Sequence, residues 1–342
     1  RGGFWRFQAA DRNSSPPAPP ARVVAIIPAR NEERSIGESL GSVLRQDYAG
    51  NFHTFLVDDN SDDETAIAAQ RTAEQGGCGS SLTIVRAAPL PSGWTGKLWA
   101  LSEGVRAAAY SDPEFLLFTD ADIVHDPGNL ARLLPLQRAG NYDLVSFMVR
   151  LRTETFAEKA LIPAFVFFFL KLYPPAWTRK QGTGTAGAAG GCMLLRAEAL
   201  RRAGGLDAIR AAVIDDCTLA RAVKSSGGRI WLGLSSKSRS IHGYGSFAEI
   251  GRMISRTAFA QLNHSGILLA LTVAGLTITY LLPPVLLLSG SAWAGVLGGC
   301  AWGLMMIAYA PALRFYGRSV LWAPALPLVA LFYMGATICS AL

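Results

Sequence analysis

The last part of the chain, residues 266–342, carries only two charged side chains, Arg314 and Arg318. A water-soluble domain keeps Lys, Arg, Asp and Glu on its surface, so a stretch with so few charges excludes an ordinary soluble fold. A helix that crosses a bilayer needs about 20 apolar residues. The sequence therefore predicts three transmembrane helices, with hydrophobic helices buried in a large globular core as the alternative. The three segments lie at 266–288, 292–313 and 320–342.

The two links between these helices differ in charge and so predict their orientation. Residues 289–291 carry no charge, whereas residues 314–318 carry both arginines. Because positive residues are enriched in cytoplasmic links, the second link is predicted to be cytoplasmic. Three crossings then place everything before residue 266 in the cytoplasm and the C-terminus outside. Pro283 and Pro284 are expected to kink the first helix.

The length of 342 residues allows about two domains. Residues 1–21 are predicted to be a membrane-proximal segment, with a stiff Pro-rich linker at 14–20. Residues 22–265 are predicted to form a folded cytoplasmic domain, and residues 266–342 the membrane helices. Residues 4–7 mix aromatic and basic side chains as at a membrane boundary, so we expect a further membrane helix upstream.

Charge and cysteine usage limit the partners of this chain. The formal net charge is +7, and the basic residues are scattered without an aromatic-basic motif, so nucleic-acid binding is not indicated. The positive excess fits either an anionic membrane surface or phosphate ligands. The five cysteines are widely spaced and include no Cys-x-x-Cys pair, which argues against a disulfide framework or a zinc site.

An apolar run at 115–118 ends in two carboxylates, Asp120 and Asp122. The run reads as a buried strand of a parallel sheet, and open α/β sheets bind ligands at the carboxyl ends of such strands. Carboxylates at i and i+2 can face one hard cation, whose remaining positions suit phosphate oxygens. The alternative is a polar turn that caps a helix.

Two earlier strands repeat this arrangement. A strand at 23–27 stops at Pro28, and a strand at 52–57 is followed by Asp58 and Asp59. Residues 61–64 read as a capping box that opens the next helix. One aspartate is then free to accept hydrogen bonds from a base or a sugar hydroxyl, and a polar turn is the alternative.

A third predicted strand, at 82–85, is followed by a loop of small and aromatic residues at 93–97 and a helix at 97–109. Lys97 adds a cation ahead of that helix, and a cation beside a helix start favours an anion. A solvated lysine is the alternative interpretation.

Together with residues 215–219, these motifs resemble the ordered motif set of family-2 glycosyltransferases of the GT-A fold. The resemblance covers the chain from residue 23 to its end. It implies an α/β, Rossmann-like fold with a mostly parallel sheet, followed by transmembrane helices. The motif order, the membrane helices, Gly93 with Trp94 and residues 252–262 are most similar to the bacterial hopanoid-associated glycosyltransferases.

The resemblance implies a nucleotide-sugar donor, a metal cofactor and a set of site residues. Asp120 and Asp122 match the Asp-x-Asp motif that binds the donor diphosphate through Mg²⁺ or Mn²⁺. Asp216 matches the general base, and the residue before it is Asp where the family more often has Glu. The other donor-binding residues implied are Pro28, Arg30, Glu32, Asp58, Asp59, Lys97 and Asp215.

The assignment of the base also has a chemical reason. An inverting transfer needs a carboxylate that takes the proton of the acceptor hydroxyl, and cations that stabilise the leaving diphosphate. Because Asp120 and Asp122 are assigned to the metal, a different carboxylate must be the base. Asp216 stands just before the helical stretch 219–223. The alternative is an acidic N-cap that the helix dipole favours.

A helix predicted at 246–262 takes the place where processive relatives carry a Gln-x-x-Arg-Trp motif. Arg252 and Arg256 are four residues apart and share one helix face, from which they are expected to reach the diphosphate. A basic helix lying on anionic lipid is an equally good interpretation. Residues 242–244 are expected to close over the site. The missing motif argues against a processive polysaccharide synthase.

Residues 182–187 and the Phe-rich stretch 161–173 each allow more than one interpretation. Residues 182–187 match Gly-x-Gly-x-x-Gly, but they precede a predicted strand at 192–195 instead of linking a strand to a helix, so the dinucleotide interpretation fails. A flexible loop near the acceptor is expected there.

The Phe-rich stretch 161–173 is too short to span a membrane. It suits an interfacial helix or a lipid-facing lip, and a buried core helix is the alternative.

The sequence thus predicts a membrane-bound inverting glycosyltransferase that moves a sugar, expected from a UDP-sugar, to a membrane lipid. The resemblance implies a hopanoid or related acceptor and the bacterial inner membrane; a polyprenyl phosphate is the alternative acceptor. A soluble acceptor would require neither membrane helices nor the Phe-rich stretch. A transporter or other non-catalytic membrane protein is the rival class, but the predicted helices carry no ionisable residue in their cores, where transport sites usually have one.

Overall fold

The structure is a computed structural model that describes residues 2–6 and 19–342. Phe7 and most of the predicted Pro-rich linker at 14–20 lie outside the described residues. Eight strands of the described part join in one sheet in the order β3-β2-β1-β4-β7-β6-β8-β5. The strands are β1 (Val23–Ala29), β2 (Phe52–Asp58), β3 (Leu82–Arg86), β4 (Phe115–Phe118), β5 (Ile123–Val124), β6 (Leu144–Arg150), β7 (Met193–Arg196) and β8 (Ile230–Ser240).

The first four strands are parallel, and the rest of the sheet is mixed. β1 pairs in parallel with β2 and β4, and β2 with β3. β7 is antiparallel to both β4 and β6, whereas β6 and β8 are parallel. The two-residue strand β5 closes the edge against β8 in antiparallel pairing. The predicted α/β fold is confirmed, with a smaller parallel share than expected.

The α-helices of the described part are α1 (Glu33–Leu44), α2 (Thr65–Gln75), α3 (Gly96–Ala108), α4 (Asn129–Gly140), α5 (Phe156–Leu172), α6 (Pro175–Arg179), α7 (Ala197–Arg202), α8 (Asp215–Ser225), α9 (Phe247–Gln261), α10 (Gly266–Leu276), α11 (Leu282–Leu287), α12 (Ala292–Phe315) and α13 (Leu326–Cys339). The helices predicted at 97–109, 219–223 and 246–262 are confirmed as α3, α8 and α9.

Both faces of the sheet are buried, which explains the continuous apolar runs of its strands. Side chains alternate between the faces, so Val24 and Ile26 of β1 pack with α3 and α8, while Val23 and Ile27 pack with α1 and α4. A strand covered on both sides carries no polar alternation. The carboxyl ends of the parallel strands are therefore left to present the polar groups.

The predicted capping box at 61–64 is wrong. Ser61 does not cap α2, because its hydroxyl accepts a hydrogen bond from the Asn31 N–H of the neighbouring β1–α1 turn, at 3.0 Å. Asp63 serves the helix instead, and its carboxylate accepts from Thr65 N at 3.0 Å. Asn60 adopts a left-handed backbone conformation, with φ of 55°, which turns the chain toward that neighbour.

Four segments in the described part of the chain are long and apolar enough to cross a membrane. Three of them correspond to the predicted C-terminal helices: Gly266–Leu287, Ala292–Phe315 and Val320–Cys339. The first contains a π-helical turn, Thr277–Leu281, directly before Pro283 and Pro284. Because proline has no N–H to donate, the widened turn is how this helix accommodates the pair.

The fourth segment is Phe156–Arg179, so the prediction that the Phe-rich stretch is too short to span is wrong. Helix α5 begins five residues earlier than that stretch because Thr155 and Glu158 form a capping box. Half of the segment is buried. Its aromatic rings pack on the later helices, with Phe167 and Tyr309 centroids 5.3 Å apart. Helix α5 thus joins the C-terminal helices in one core.

Candidate active site

A cleft of about 910 Å³ opens where β1, β2 and β4 end. Most of the predicted donor-binding residues line it, and helix α9 forms its other wall. The lining residues that the sequence predicted are Pro28, Arg30, Glu32, Asp59, Lys97, Asp120, Asp122, Arg252 and Arg256. Asp58, Asp215 and Asp216 are not among the residues that line the cleft.

One wall of the cleft is acidic, because Glu32, Asp120 and Asp122 converge there. Burial raises the pKa of Glu32 and of Asp122, and the carboxylate of Asp120 raises both further. Hydroxyls orient the two groups: Ser35 donates to the Glu32 carboxylate, and Ser240 donates to Asp122 Oδ2 at 2.5 Å. Carboxylates that crowd together in this way suit a bound cation, which would relieve their repulsion.

A buried histidine supports the turn that carries the Asp-x-Asp pair. His125 contacts the Thr119 hydroxyl at 2.8 Å through Nε2 and the Ser238 hydroxyl at 3.0 Å through Nδ1. Because Thr119 donates to Gly191 O at 2.9 Å, the network assigns the ring proton to Nε2. Burial lowers the pKa of His125 to about 4, so the ring is neutral at neutral pH. The histidine thus links the end of β4 to β8 through two hydroxyl groups.

Asp59 sits at the far end of the cleft, at the carboxyl end of β2. Its carboxylate lies 3.8 Å from Arg30 Nη1. Burial raises the pKa of Asp59, and the Arg30 guanidinium opposes this shift. A Cβ at Gly96 would lie 2.8 Å from Asp59 Oδ2, so a side chain at this position would displace the carboxylate. Asp59 is therefore placed to accept hydrogen bonds from a ligand.

Asp58 has a structural partner instead. Its side chain is buried, and Oδ1 accepts a hydrogen bond from Ser61 N at 3.1 Å. This contact shapes the turn after β2. Of the two neighbouring aspartates, only Asp59 faces the cleft.

Lys97 links the Asp-x-Asp pair to the second acidic pair. Its Nζ lies 2.7 Å from Asp120 Oδ1 and 3.1 Å from Asp215 Oδ2. Burial alone would lower the pKa of Lys97, but the two carboxylates outweigh it and raise the pKa. The solvated-lysine interpretation does not describe this geometry. Lys97 instead holds two acidic elements of the chain together.

Asp216 is fixed by two backbone N–H groups at the start of α8. Gly190 N donates to Oδ2 at 2.9 Å, and Cys217 N donates to Oδ1 at 2.6 Å. Burial raises the pKa of Asp216, and the charge of Asp215 adds to the shift, while Lys97 opposes it. A Cβ at Gly190 would lie 3.2 Å from Lys97 Nζ, so this position keeps the lysine and Asp216 close.

Residues 242–244 and helix α9 complete the cleft. Arg252 and Arg256 face the cleft from α9. His242 lines the cleft and its charge couples to Glu32 and Asp122. The sequence predicted closure by this segment but gave its histidine no ligand role. The position of His242 depends on the pairing of Ser240 with Ile123, which brings residue 242 beside Asp122. The sequence does not predict this pairing, because a two-residue strand such as β5 is too short to recognise.

The donor set fits a divalent cation that a ligand helps to hold. Within the described residues, no group of three or more His, Cys, Asp and Glu side chains forms a ready metal cage. Asp120 and Asp122 supply hard oxygen atoms at the cleft wall. Mg²⁺ commonly takes one or two carboxylates and completes its shell with water and substrate phosphates. Two aspartates beside an open cleft match that arrangement.

A cleft with an acidic wall at the carboxyl ends of parallel strands, in a sheet that turns mixed beyond β4, fits the GT-A fold. The sequence profile of Glycosyl transferase family 2 matches residues 24–204, more than half of the chain. The chain therefore belongs to glycosyltransferase family 2. A search of curated proteins gives no significant match.

Several solved structures are similar to this chain. The mannosyltransferase PcManGT from Pyrobaculum calidifontis, in complex with GDP-Man and Mn²⁺, is 22% identical with a TM-score of 0.58, over 98% of this chain and 92% of its own. TarS from S. aureus is 17% identical with a TM-score of 0.46, over 70% and 40%. Glucosyl-3-phosphoglycerate synthase from Mycobacterium tuberculosis, with Mn²⁺ and UDP-glucose, is 17% identical with a TM-score of 0.43, over 70% and 79%. The first likeness supports the GT-A fold over nearly the whole chain.

Proposed function

We propose that the protein is a membrane-bound, metal-dependent inverting glycosyltransferase that transfers a sugar from a nucleotide-sugar to a membrane lipid, a hopanoid or a related molecule. One observation carries the proposal: the half-buried carboxylate of Asp216 lies next to Asp215, which Lys97 links to Asp120 on the acidic wall of the cleft. A site of this kind holds a charged donor on one side and a proton acceptor on the other.

We assign donor binding to the residues that line the cleft. Asp120 and Asp122 would hold Mg²⁺ or Mn²⁺, with the His242 ring as a further donor group on the same wall. Arg252 and Arg256 are placed to meet the diphosphate, and Asp59 the nucleoside. The bound metal stabilises the negative charge of the leaving diphosphate. The PcManGT structure with GDP-Man and Mn²⁺ supports a nucleotide-sugar and a divalent cation here.

Asp216 is the proposed base. The acceptor hydroxyl oxygen attacks the anomeric carbon while its proton passes to the Asp216 carboxylate. The bond between that carbon and the diphosphate oxygen breaks, and its electron pair leaves with the nucleoside diphosphate. Two N–H groups hold the carboxylate, and its raised pKa makes it a better proton acceptor than an exposed aspartate.

The membrane-lipid acceptor is supported by the apolar surface of the C-terminal helices. Helix α10 has no buried residue, and large side chains on α12 and the last helix are exposed, among them Trp293, Leu304 and Leu328. Surfaces of this kind are stable against acyl chains and not against water. A polyprenyl phosphate is the second candidate acceptor.

Transfer by the purified protein in lipid nanodiscs tests the proposal. We expect radiolabel from a UDP-sugar or a GDP-sugar to enter an extractable lipid when Mn²⁺ and a total bacterial lipid extract are supplied, and to stop on chelation with EDTA. Mass spectrometry of the product identifies the acceptor and separates a hopanoid from a polyprenyl phosphate. Label found only in water-soluble products or long polysaccharide would overturn the lipid acceptor.

Contacts between the sheet and the Arg-bearing link support the proposed orientation. Leu151 N, at the end of β6, donates to the hydroxyl of Tyr316 at 3.4 Å, and Arg150 donates to Tyr316 O at 3.4 Å. The catalytic sheet and the link 314–318 therefore lie at the same end of the helices. The positive-inside rule favours the cytoplasm for both.

A reporter that is active only outside the cytoplasm tests this orientation. We expect signal from a fusion at Gly290, in the uncharged link, and none from a fusion at Gly317, because three crossings alternate the sides. A fusion at Gly77, in the catalytic domain after α2, is the matched control and should also be silent. Signal at Gly317 with none at Gly290 would place the domain on the wrong side for cytoplasmic nucleotide-sugars.

A further inference from the structure

Two helices beside the donor cleft begin with nearly the same tetrapeptide. Helix α5 is opened by Thr-Phe-Ala-Glu at 155–158, and α9 by Ser-Phe-Ala-Glu at 246–249. In both, the hydroxyl of the first residue accepts a hydrogen bond from the glutamate N–H, at 3.2 Å for Thr155 and 3.3 Å for Ser246. This is the hydroxyl half of a capping box. Both caps contact the segment 242–245.

The glutamates of the two caps hold consecutive peptides of the cleft wall. Glu158 Oε1 accepts from Tyr244 N at 2.7 Å, and Thr155 Oγ1 donates to Tyr244 O at 3.0 Å. Glu249 Oε2 accepts from Gly245 N at 2.7 Å. Glu158 is fully buried, so its bonds to the backbone are shielded from water. The cleft wall at Tyr244 is therefore fixed by the starts of α5 and α9.

The phenylalanines of the same tetrapeptides point outward and touch. Phe156 is 67% exposed and Phe247 is 41% exposed, and their ring centroids are 6.1 Å apart. Trp322 lies 5.9 Å from Phe156, and Phe332 lies 6.0 Å from Phe247. We call these four residues the aromatic collar. Rings left open to solvent on the first turns of two well-capped helices have no packing role on that outer side.

The collar continues into the apolar surface of the membrane segments. Trp322 lies within Val320–Cys339, next to Leu321, which is 83% exposed. Arg318 stands four residues before the tryptophan, at the end of the bundle that carries both link arginines. Aromatic rings beside basic residues at the end of an apolar helix are typical of the membrane–water interface. The occupant that fits is the headgroup layer of a bilayer.

We propose that the aromatic collar seats in the interfacial layer of the membrane and that the two helix caps transmit this contact to Tyr244 and Gly245, so that the donor cleft takes its working shape on the bilayer. The proposal takes its membrane setting from the proposed function. It adds a specific contact and a route from that contact to the cleft.

Quenching by lipids brominated in their acyl chains tests the contact. Single variants F156W and F247W of the full chain are placed in nanodiscs. The fluorescence of the introduced tryptophan is measured as the difference between the variant and the parent protein. We expect most of it to be quenched. The matched control is Y110W, because Tyr110 is 97% exposed and precedes β4, away from the collar. Equal quenching at all three positions, or a collar shielded by a second copy of the chain in cross-linking, would overturn the contact.

Donor kinetics test the transmission. In nanodiscs, F156S/F247S is expected to raise the donor KM about tenfold, equal to about 1.4 kcal/mol, with a smaller change in kcat. E158Q should act in the same direction, because an amide cannot accept every N–H that the carboxylate accepts. F156W/F247W should restore the donor KM, and I67S, which removes a 49% exposed side chain on α2, should leave it unchanged.

An unchanged donor KM in both F156S/F247S and E158Q would overturn the transmission. Failure of the proposed function is distinguishable from failure of this inference, because quenching needs no turnover. If the collar positions are quenched but no sugar is transferred, the membrane contact of the collar is supported and the proposed glycosyl transfer is contradicted. Circular dichroism of E158Q against the parent checks that the variant folds.

Discussion

Replacing Asp120 or Asp122 by alanine is expected to abolish sugar transfer, with a loss of at least about 1,000-fold in kcat/KM, or about 4 kcal/mol. The two carboxylates face one cleft wall, and the assigned cation would lose a ligand in either variant. Binding of the nucleoside diphosphate should lose its dependence on Mn²⁺ at the same time. Transfer assays and calorimetry with and without Mn²⁺ measure the two effects.

The fold is expected to survive these substitutions. In D120A, Lys97 keeps Asp215 at 3.1 Å. D122A loses the hydrogen bond from Ser240, but the backbone pairing of β5 with β8 does not depend on this side chain. D207N is the control, because Asp207 is an exposed carboxylate outside the cleft, and it should retain full activity. Full activity in both alanine variants would remove the metal assignment.

Replacing Asp216 by asparagine is expected to lower kcat about 100- to 10,000-fold, the usual contribution of a general base. The amide has the same shape but cannot accept the acceptor proton. Donor binding should change little, because Asp216 lies outside the residues that line the cleft. Single-turnover kinetics with a saturating nucleotide-sugar separate the chemical step from binding.

The Asp215→Asn variant tests whether Asp216 acts as a general base or only as an acidic cap of helix α8. Both aspartates stand in the first turn of α8 and would serve its dipole equally. Only Asp216 has both carboxylate oxygens oriented by N–H groups, whereas Asp215 meets Lys97. We therefore expect D215N to be much more active than D216N. Its main effect should be on the donor KM, because Asp215 contacts Lys97, which lines the cleft. Equal losses of kcat in the two variants would support the cap.

The sequence predicted the parallel half of the sheet and the acidic cleft well, because continuous apolar strands ending in carboxylates are a local pattern. Asp120, Asp122 and Asp59 follow their strands directly, and their meeting at one edge follows from parallel pairing. The long apolar helices were equally clear from the scarcity of charge. These features need no knowledge of distant contacts.

The features that the sequence did not predict depend on partners far along the chain. The sequence predicts that Ser61 caps its own helix, whereas in the structure its hydroxyl accepts a hydrogen bond from Asn31 N. Lys97 was assigned to an anion, and the structure supplies protein carboxylates from two other elements. His242 needed the pairing of β5 with β8. Helix α5 was underestimated because its cap lies outside the Phe-rich run.

The sheet does not end where the family profile ends. The profile stops at residue 204, but β8 (Ile230–Ser240) lies between β6 and β5, and Ser240 bonds to Asp122. Helix α5, from the first half of the chain, packs in the same core as α12 and α13. The glycosyltransferase domain and the long apolar C-terminal helices are thus interleaved in space although they are consecutive in the sequence. Recombination between relatives near residue 265 would split one packing unit, so we expect such chimaeras to be less stable than either parent.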